Sequence, residues 1–110
     1  MDLSYEVKDS YAEIKAAGRL NMVSAPKLRE FVADGVASGS SRIVVNLEDT
    51  AFMDSSGLGA LIGCLKAARQ AGGDLRIAAV QPQVKMVLEL TSMDRVLTSY
   101  ATADEAFGND

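Results

Sequence analysis

Asp54-Ser55-Ser56-Gly57 is the one stretch of this 110-residue sequence that sets an acid, two hydroxyls and a glycine in succession. It falls where a polar loop gives way to the apolar spacing Leu58, Leu61, Ile62, Leu65, so it reads as a helix start. Asp and Ser are favoured caps, and a cap alone accounts for their presence there. A hydroxyl at such a place can do more. A phosphate carried on it would be stabilised by the N–H groups and the dipole of the helix. The charge could then change while the scaffold stays.

Little else in the chain offers chemistry. With no histidine, a Ser-His-Asp arrangement is excluded and the commonest general base and metal ligand are missing. One cysteine, Cys64, cannot form an internal disulfide, which fits a reducing compartment. It lies three residues after Leu61 and reads as a small buried hydrophobe. No metal site and no cofactor are expected. Gly57, Gly59 and Gly63 do not complete a dinucleotide fingerprint, because Ile62 stands at the third glycine position. No phosphate-binding G-x-x-x-x-G-K-[ST] run occurs. These absences point away from an enzyme.

The net charge of −4 argues against a nucleic-acid partner, which would want a basic stripe. The start, MDLSYEVKD, is acidic and alternating, unlike a signal peptide. The apolar stretch from Leu58 to Leu65 is far short of the ~20 residues of a membrane span. A cytoplasmic protein without membrane association is the expectation.

The elements that must position the serines read as follows. Leu3, Tyr5 and Val7 alternate, as do Tyr11, Ile14 and Ala16, predicting an antiparallel hairpin that turns near Asp9-Ser10 and ends at Gly18. Ser24-Ala25-Pro26 opens a helix with Leu28, Phe31, Val32 and Val36 on its apolar face. Arg42 to Leu47 is a buried central strand, and Glu48-Asp49-Thr50 a polar loop. The serine-bearing helix stops at Gly72-Gly73, and Leu75 to Val80 is a further strand. Pro82 opens a third helix with Val84, Val87 and Leu88 inward. Arg95 to Tyr100 reads as an edge strand, and Thr102 with Glu105 as a capping box for a short last helix. The order is that of one α/β domain over residues 1–110, a mixed sheet of four to five strands with flanking helices. Met53, Met86 and Met93 read as core filler with docking as the alternative.

The segment VVNLEDTAFMDSSGLGALIG, residues 44–63, resembles the signature of the STAS-domain anti-sigma-factor antagonists. Gly18 with Leu20, Ser24 to Glu30 and Gly72-Gly73 before a strand extend the resemblance over nearly the whole chain. The resemblance implies a small sheet flanked by helices and no catalysis. It implies binding, in the unphosphorylated form, to a serine-kinase anti-sigma factor, which then releases its sigma factor. The kinase phosphorylates the first hydroxyl after the aspartate, here Ser55 with Ser56 as runner-up, and a PP2C-type phosphatase reverses this. Asp54, Ser56, Gly57 and Leu58, with Arg19 and Asn21 of the loop after the second strand, are the expected partner contacts. Relatives often carry Gly-Glu-x-Asp in that loop, whereas this chain has Gly18-Arg19-Leu20-Asn21. The departure bears on which kinase binds. The alternative is the same module acting on a non-sigma target, in secretion, a second-messenger enzyme or a lipid-transport complex.

Overall fold

The computed structural model describes residues 1–108. Strands β1 (Asp2–Val7) and β2 (Ala12–Leu20) pair antiparallel, and the turn between them is closed by the Lys8 N–H donating to the Tyr11 carbonyl at 2.8 Å. Helix α1 (Ala25–Ala37) leads to β3 (Arg42–Asn46), then β4 (Thr50–Met53) and α2 (Ser55–Gln70). The chain continues through β5 (Asp74–Ala78), α3 (Pro82–Leu90), a 3-10 turn at Met93–Arg95, β6 (Ser99–Tyr100) and α4 (Ala103–Ala106). The strands lie in the order β1-β2-β3-β5-β6, with β4 paired to β2. Every pairing except β1–β2 is parallel.

Alternation along β3 explains the layers. Ile43 and Val45 join the large core built with α1, α2 and α3, whereas Val44 joins a small cluster with Ala78, Ala103, Ala106 and Phe107 of the α4 side. Both faces are covered, which is why Ile43, Val44 and Val45 run apolar without alternation. On the α4 side the Phe107 ring lies under the guanidinium groups of Arg42 and Arg76, at 4.8 and 4.2 Å, and stacks with Tyr11 at 6.0 Å. The edge of α4 is capped as its sequence indicates, Thr102 Oγ1 accepting from the Glu105 N–H at 3.3 Å.

Three expectations are corrected. The α/β class and mixed sheet stand, but the strand count rises to six among the described residues because Thr50–Met53 is a strand. Thr50 belongs to no polar loop: it is fully buried, and its hydroxyl donates to the Ala16 carbonyl at 2.7 Å. A four-residue strand in which only Thr50 and Met53 are buried is too short to show alternation. Gly18 does not end β2. It takes φ +117° inside the strand, where the register shifts and β2 exchanges β3 for β4 as its neighbour. The stretch Arg95 to Tyr100 is strand only at Ser99–Tyr100, since the 3-10 turn and the buried Leu97 occupy the rest.

Two side chains allow direct checks of this packing. The Tyr5 hydroxyl is buried without a hydrogen-bond partner, and an unpaired buried hydroxyl is a cost that folding carries. Tyr5→Phe should therefore leave stability unchanged or raise it by about 1 kcal/mol in urea unfolding; a clear loss would show that the hydroxyl is paired. A Cβ on Gly73 would sit 2.0 Å from the Ser41 carbonyl oxygen, so Gly73→Ala should lose at least about 2 kcal/mol by the same measurement.

Candidate switch site at the start of helix α2

Asp54 is the N-cap of α2, extended at φ −108°, ψ −174°, and its Oδ1 accepts from the Gly57 N–H at 2.9 Å. The Asp54 carbonyl accepts from the Leu58 N–H at 3.0 Å and begins the helical ladder. The acid is thus used by the helix as a cap. This leaves Ser55 as the first helical residue, exposed, with no side-chain hydrogen bond among the described residues. Ser56 follows it half-buried. Of the two adjacent hydroxyls, the first faces solvent.

Gly57 and Leu58 look inward. A Cβ on Gly57 would lie 2.2 Å from the Leu20 carbonyl oxygen and 2.7 Å from the Leu20 side chain, so only glycine fits. Leu58 is 7% exposed and belongs to the main core. Neither offers a partner much side-chain surface, and both hold the helix against β2 and the loop after it. The expectation of Leu58 as a contact gives way to a packing role, since position 58 starts the stripe that α2 buries.

The end of β2, which includes Arg19, and the loop that follows it to Ser24 lie beside the serines. The Asp54 N–H donates to the Leu20 carbonyl at 3.2 Å, tying the helix start to the last residue of β2. Arg19 is exposed and its guanidinium covers the Phe52 ring at 4.2 Å, across the β2–β4 pair. Asn21 is a turn-former: its Oδ1 accepts from the N–H groups of Val23 and Ser24 at 3.0 and 3.2 Å. Ser24 precedes α1 but does not cap it. Its hydroxyl donates to the Arg19 carbonyl at 2.7 Å and accepts from the Asn21 N–H at 2.9 Å, so it staples the loop to itself. At the outer turn of this loop Met22 and Val23 are 72% and 78% exposed. All seven residues expected at the site therefore gather around the start of α2, but only Ser55 and Arg19 present exposed side chains.

Sequence reasoning overlooked two features here. One is the Arg19–Phe52 contact, invisible while β4 was not seen as a strand. The other is Gln83, whose side-chain amide meets the backbone of Met53. A glutamine after the proline of a helix start carries no distinguishing signal. Of the methionines, Met53 is buried core, Met93 packs against it, and Met86 is half exposed on α3. Cys64 is buried, and that burial pushes its thiol up to about 11, with Arg29 opposing. It stays a protonated hydrophobe at neutral pH.

Among the described residues no group of three or more His, Cys, Asp or Glu side chains converges as a metal site would require. No helix among them is long and apolar enough to cross a membrane.

Residues 2–106 match the STAS domain family. The anti-sigma-B factor antagonist of Staphylococcus aureus (strain NCTC 8325 / PS 47) is 35% identical over 95 residues, which are 84% of this chain and 88% of that protein. The crystal structure of an anti-sigma factor antagonist from Mycobacterium paratuberculosis shares the fold with a TM-score of 0.86 at 25% identity, over 97% of this chain and 91% of that one. The Bacillus cell fate determinant SpoIIAA in its phosphorylated form has a TM-score of 0.73 at 23% identity, over 97% of both chains. A match over nearly the full length, joined to a fold of the same kind, places the chain in the STAS domain family, among the anti-sigma factor antagonists.

Proposed function

We propose that this chain is a phosphorylation-controlled partner switch that acts by binding, without catalysis of its own. Unmodified, it binds a serine-kinase anti-sigma factor in the cytoplasm and releases the sigma factor held there. The kinase transfers phosphate to Ser55, and a PP2C-type phosphatase removes it. Nucleotide belongs to the kinase, so this chain needs no cofactor.

The observation that carries this reading is the exposed, unbonded Ser55 hydroxyl on the first residue of a sixteen-residue helix. A phosphate on it would bring ~2 negative charges beside Asp54. A single like-charge pair at ~4 Å near a protein surface is worth ~4 kcal/mol, nearly three decades of affinity. That suffices to eject a partner whose surface at this point is acidic or merely desolvated. The fold itself has little reason to change. The helix dipole favours the phosphate by ~0.3–1 kcal/mol, and Asp54 opposes it. The phosphorylated SpoIIAA chain, with the same fold, is consistent with this tolerance.

The same module acting on a non-sigma target is a second reading, favoured by Arg19 and Asn21 standing where relatives are often acidic. A pull-down with the unmodified chain, read by mass spectrometry, separates them: a kinase-type anti-sigma factor supports the first, a transport or second-messenger component the second.

Incubation with the cognate kinase and ATP should add one phosphate, mapped by peptide analysis to Ser55; phosphate on Ser56 or Thr50 would overturn the assignment. Ser55→Ala should bind permanently. Ser55→Asp should bind poorly, with a native fold and a melting temperature within about 4 °C of wild type. A Ser55→Asp chain that binds as tightly as wild type would defeat the charge mechanism.

Arg19 should set partner choice through charge. With its guanidinium laid over Phe52, beside the helix start, it favours a kinase surface that is acidic there. Arg19→Glu should slow association by about threefold to tenfold at low salt, the deficit shrinking as salt rises. Asn21→Asp should do so more mildly, since aspartate can keep the turn bonds and adds one charge. Stopped-flow association rates at two salt concentrations decide this; unchanged rates at both would leave the two residues outside recognition.

A further inference from the structure

Among the described residues strand β4 has a strand neighbour on one side alone, β2. Its other edge, at the residue that leads into Asp54-Ser55, is met by a side chain. Gln83 Oε1 accepts from the Met53 N–H at 2.8 Å, and Gln83 Nε2 donates to the Met53 carbonyl at 3.1 Å. A primary amide sets a carbonyl acceptor and an N–H donor side by side in one plane, as a peptide edge does. Gln83 therefore satisfies both backbone groups of Met53 as an adjoining strand would, from the first turn of α3. Two residues earlier, the Gln81 side chain donates to the Glu48 carbonyl at the start of the same segment. Gln81 and Gln83, on either side of Pro82, thus clasp the chain between β3 and α2 at both ends. This use explains why Gln81, the N-cap residue of α3, makes no side-chain cap bond.

The segment so held is the carrier of the switch. Met53 is buried, Asp54 is tied to the Leu20 carbonyl, and Gly57 rests against Leu20. Opposite this anchorage the Gln83 amide makes the only side-chain hydrogen bonds that reach the Met53 backbone among the described residues. Removing it would free the end of β4 on that side and let the first turn of α2 fray, since helix ends depend on the residues that precede them. An enzyme acting on Ser55 needs that hydroxyl in a near-attack position, and small displacements there cost rate more than binding.

We propose that Gln83 is the positioning residue of Ser55: its amide stands in for a strand at Met53 and fixes the peptide that carries the serine to the kinase. The role of Ser55 as the phosphorylated residue rests on the function proposed above; the clasp itself does not.

The test uses the full chain and Gln83→Met, which keeps length and volume but neither hydrogen bond. Amide hydrogen exchange followed by NMR should show Met53, with Asp54 and Gly57, exchanging about tenfold faster or more, while Val44 and Ile77 in the central strands keep their protection. With the cognate kinase and ATP, kcat for Ser55 phosphorylation should fall several-fold with KM little changed. Gln81→Ala should leave Met53 exchange and kcat near wild type, since it releases only the Glu48 end. Unchanged exchange at Met53, or an equal rise at every amide, would overturn the proposal, as would a rise in KM at constant kcat, which belongs to a contact residue. Should the wild-type chain take no phosphate on Ser55, the proposed function fails, and with it the part assigned to Gln83 in the kinase reaction; the exchange rates then still decide the clasp.

Discussion

The carbonyl of Leu20 is the point on which the geometry of the candidate site depends. It accepts the Asp54 N–H at 3.2 Å, and the bare Cα of Gly57 passes so close that no side chain could stand there. One backbone oxygen thus fixes where β4 ends, where α2 begins and how near the helix comes to the loop after β2. Backbone groups are well suited to this, because their position follows from the sheet and not from a rotamer. The exposed serine inherits that rigidity. A modification can then alter the local charge without asking the scaffold to rearrange.

Much of this was legible in the residues. The hairpin, the three longer helices and the central strand follow from period and punctuation, since Pro26, Pro82 and Gly72-Gly73 mark element ends that propensity alone would blur. Asp54 as a cap was legible for the same reason. What could not be read was β4. Strands need several residues to show alternation, and Thr50, buried by a bond to the Ala16 carbonyl, looks polar in the sequence. Its loss hid the Arg19–Phe52 contact and the neighbour role of Gln83, because both exist only once β4 is in place. Gly18 misled in the opposite sense: a glycine that ends a pattern and a glycine that bends a continuing strand look alike until the partner is known.

The site also shows how unequally its residues share their tasks. Asp54, Gly57, Leu58 and Asn21 build: they cap, pack or turn. Ser55 and Arg19 face outward with chemistry. Met22 and Val23 add exposed apolar surface on the loop after β2, the kind of surface that the buried centre of an interface uses. The division follows from packing, because residues that hold the fold cannot also be free to answer a charge.

Strand β2 serves two neighbours in succession, β3 along Ala12 to Lys15 and β4 from Gly18 to Leu20. The passage from one to the other is spanned by the turn at Leu47 to Thr50, closed by the Thr50 N–H on the Leu47 carbonyl at 3.0 Å. Surface turns usually tolerate changes of length. This one does not have that liberty. One residue more or fewer would shift β4 by a single place, send Met53 to the outside and Phe52 to the core, and start α2 half a pleat away. In a lineage of such proteins, the spacing between β3 and the serine is therefore the dimension along which drift by insertion or deletion is closed, even where the side chains of the turn are free to vary.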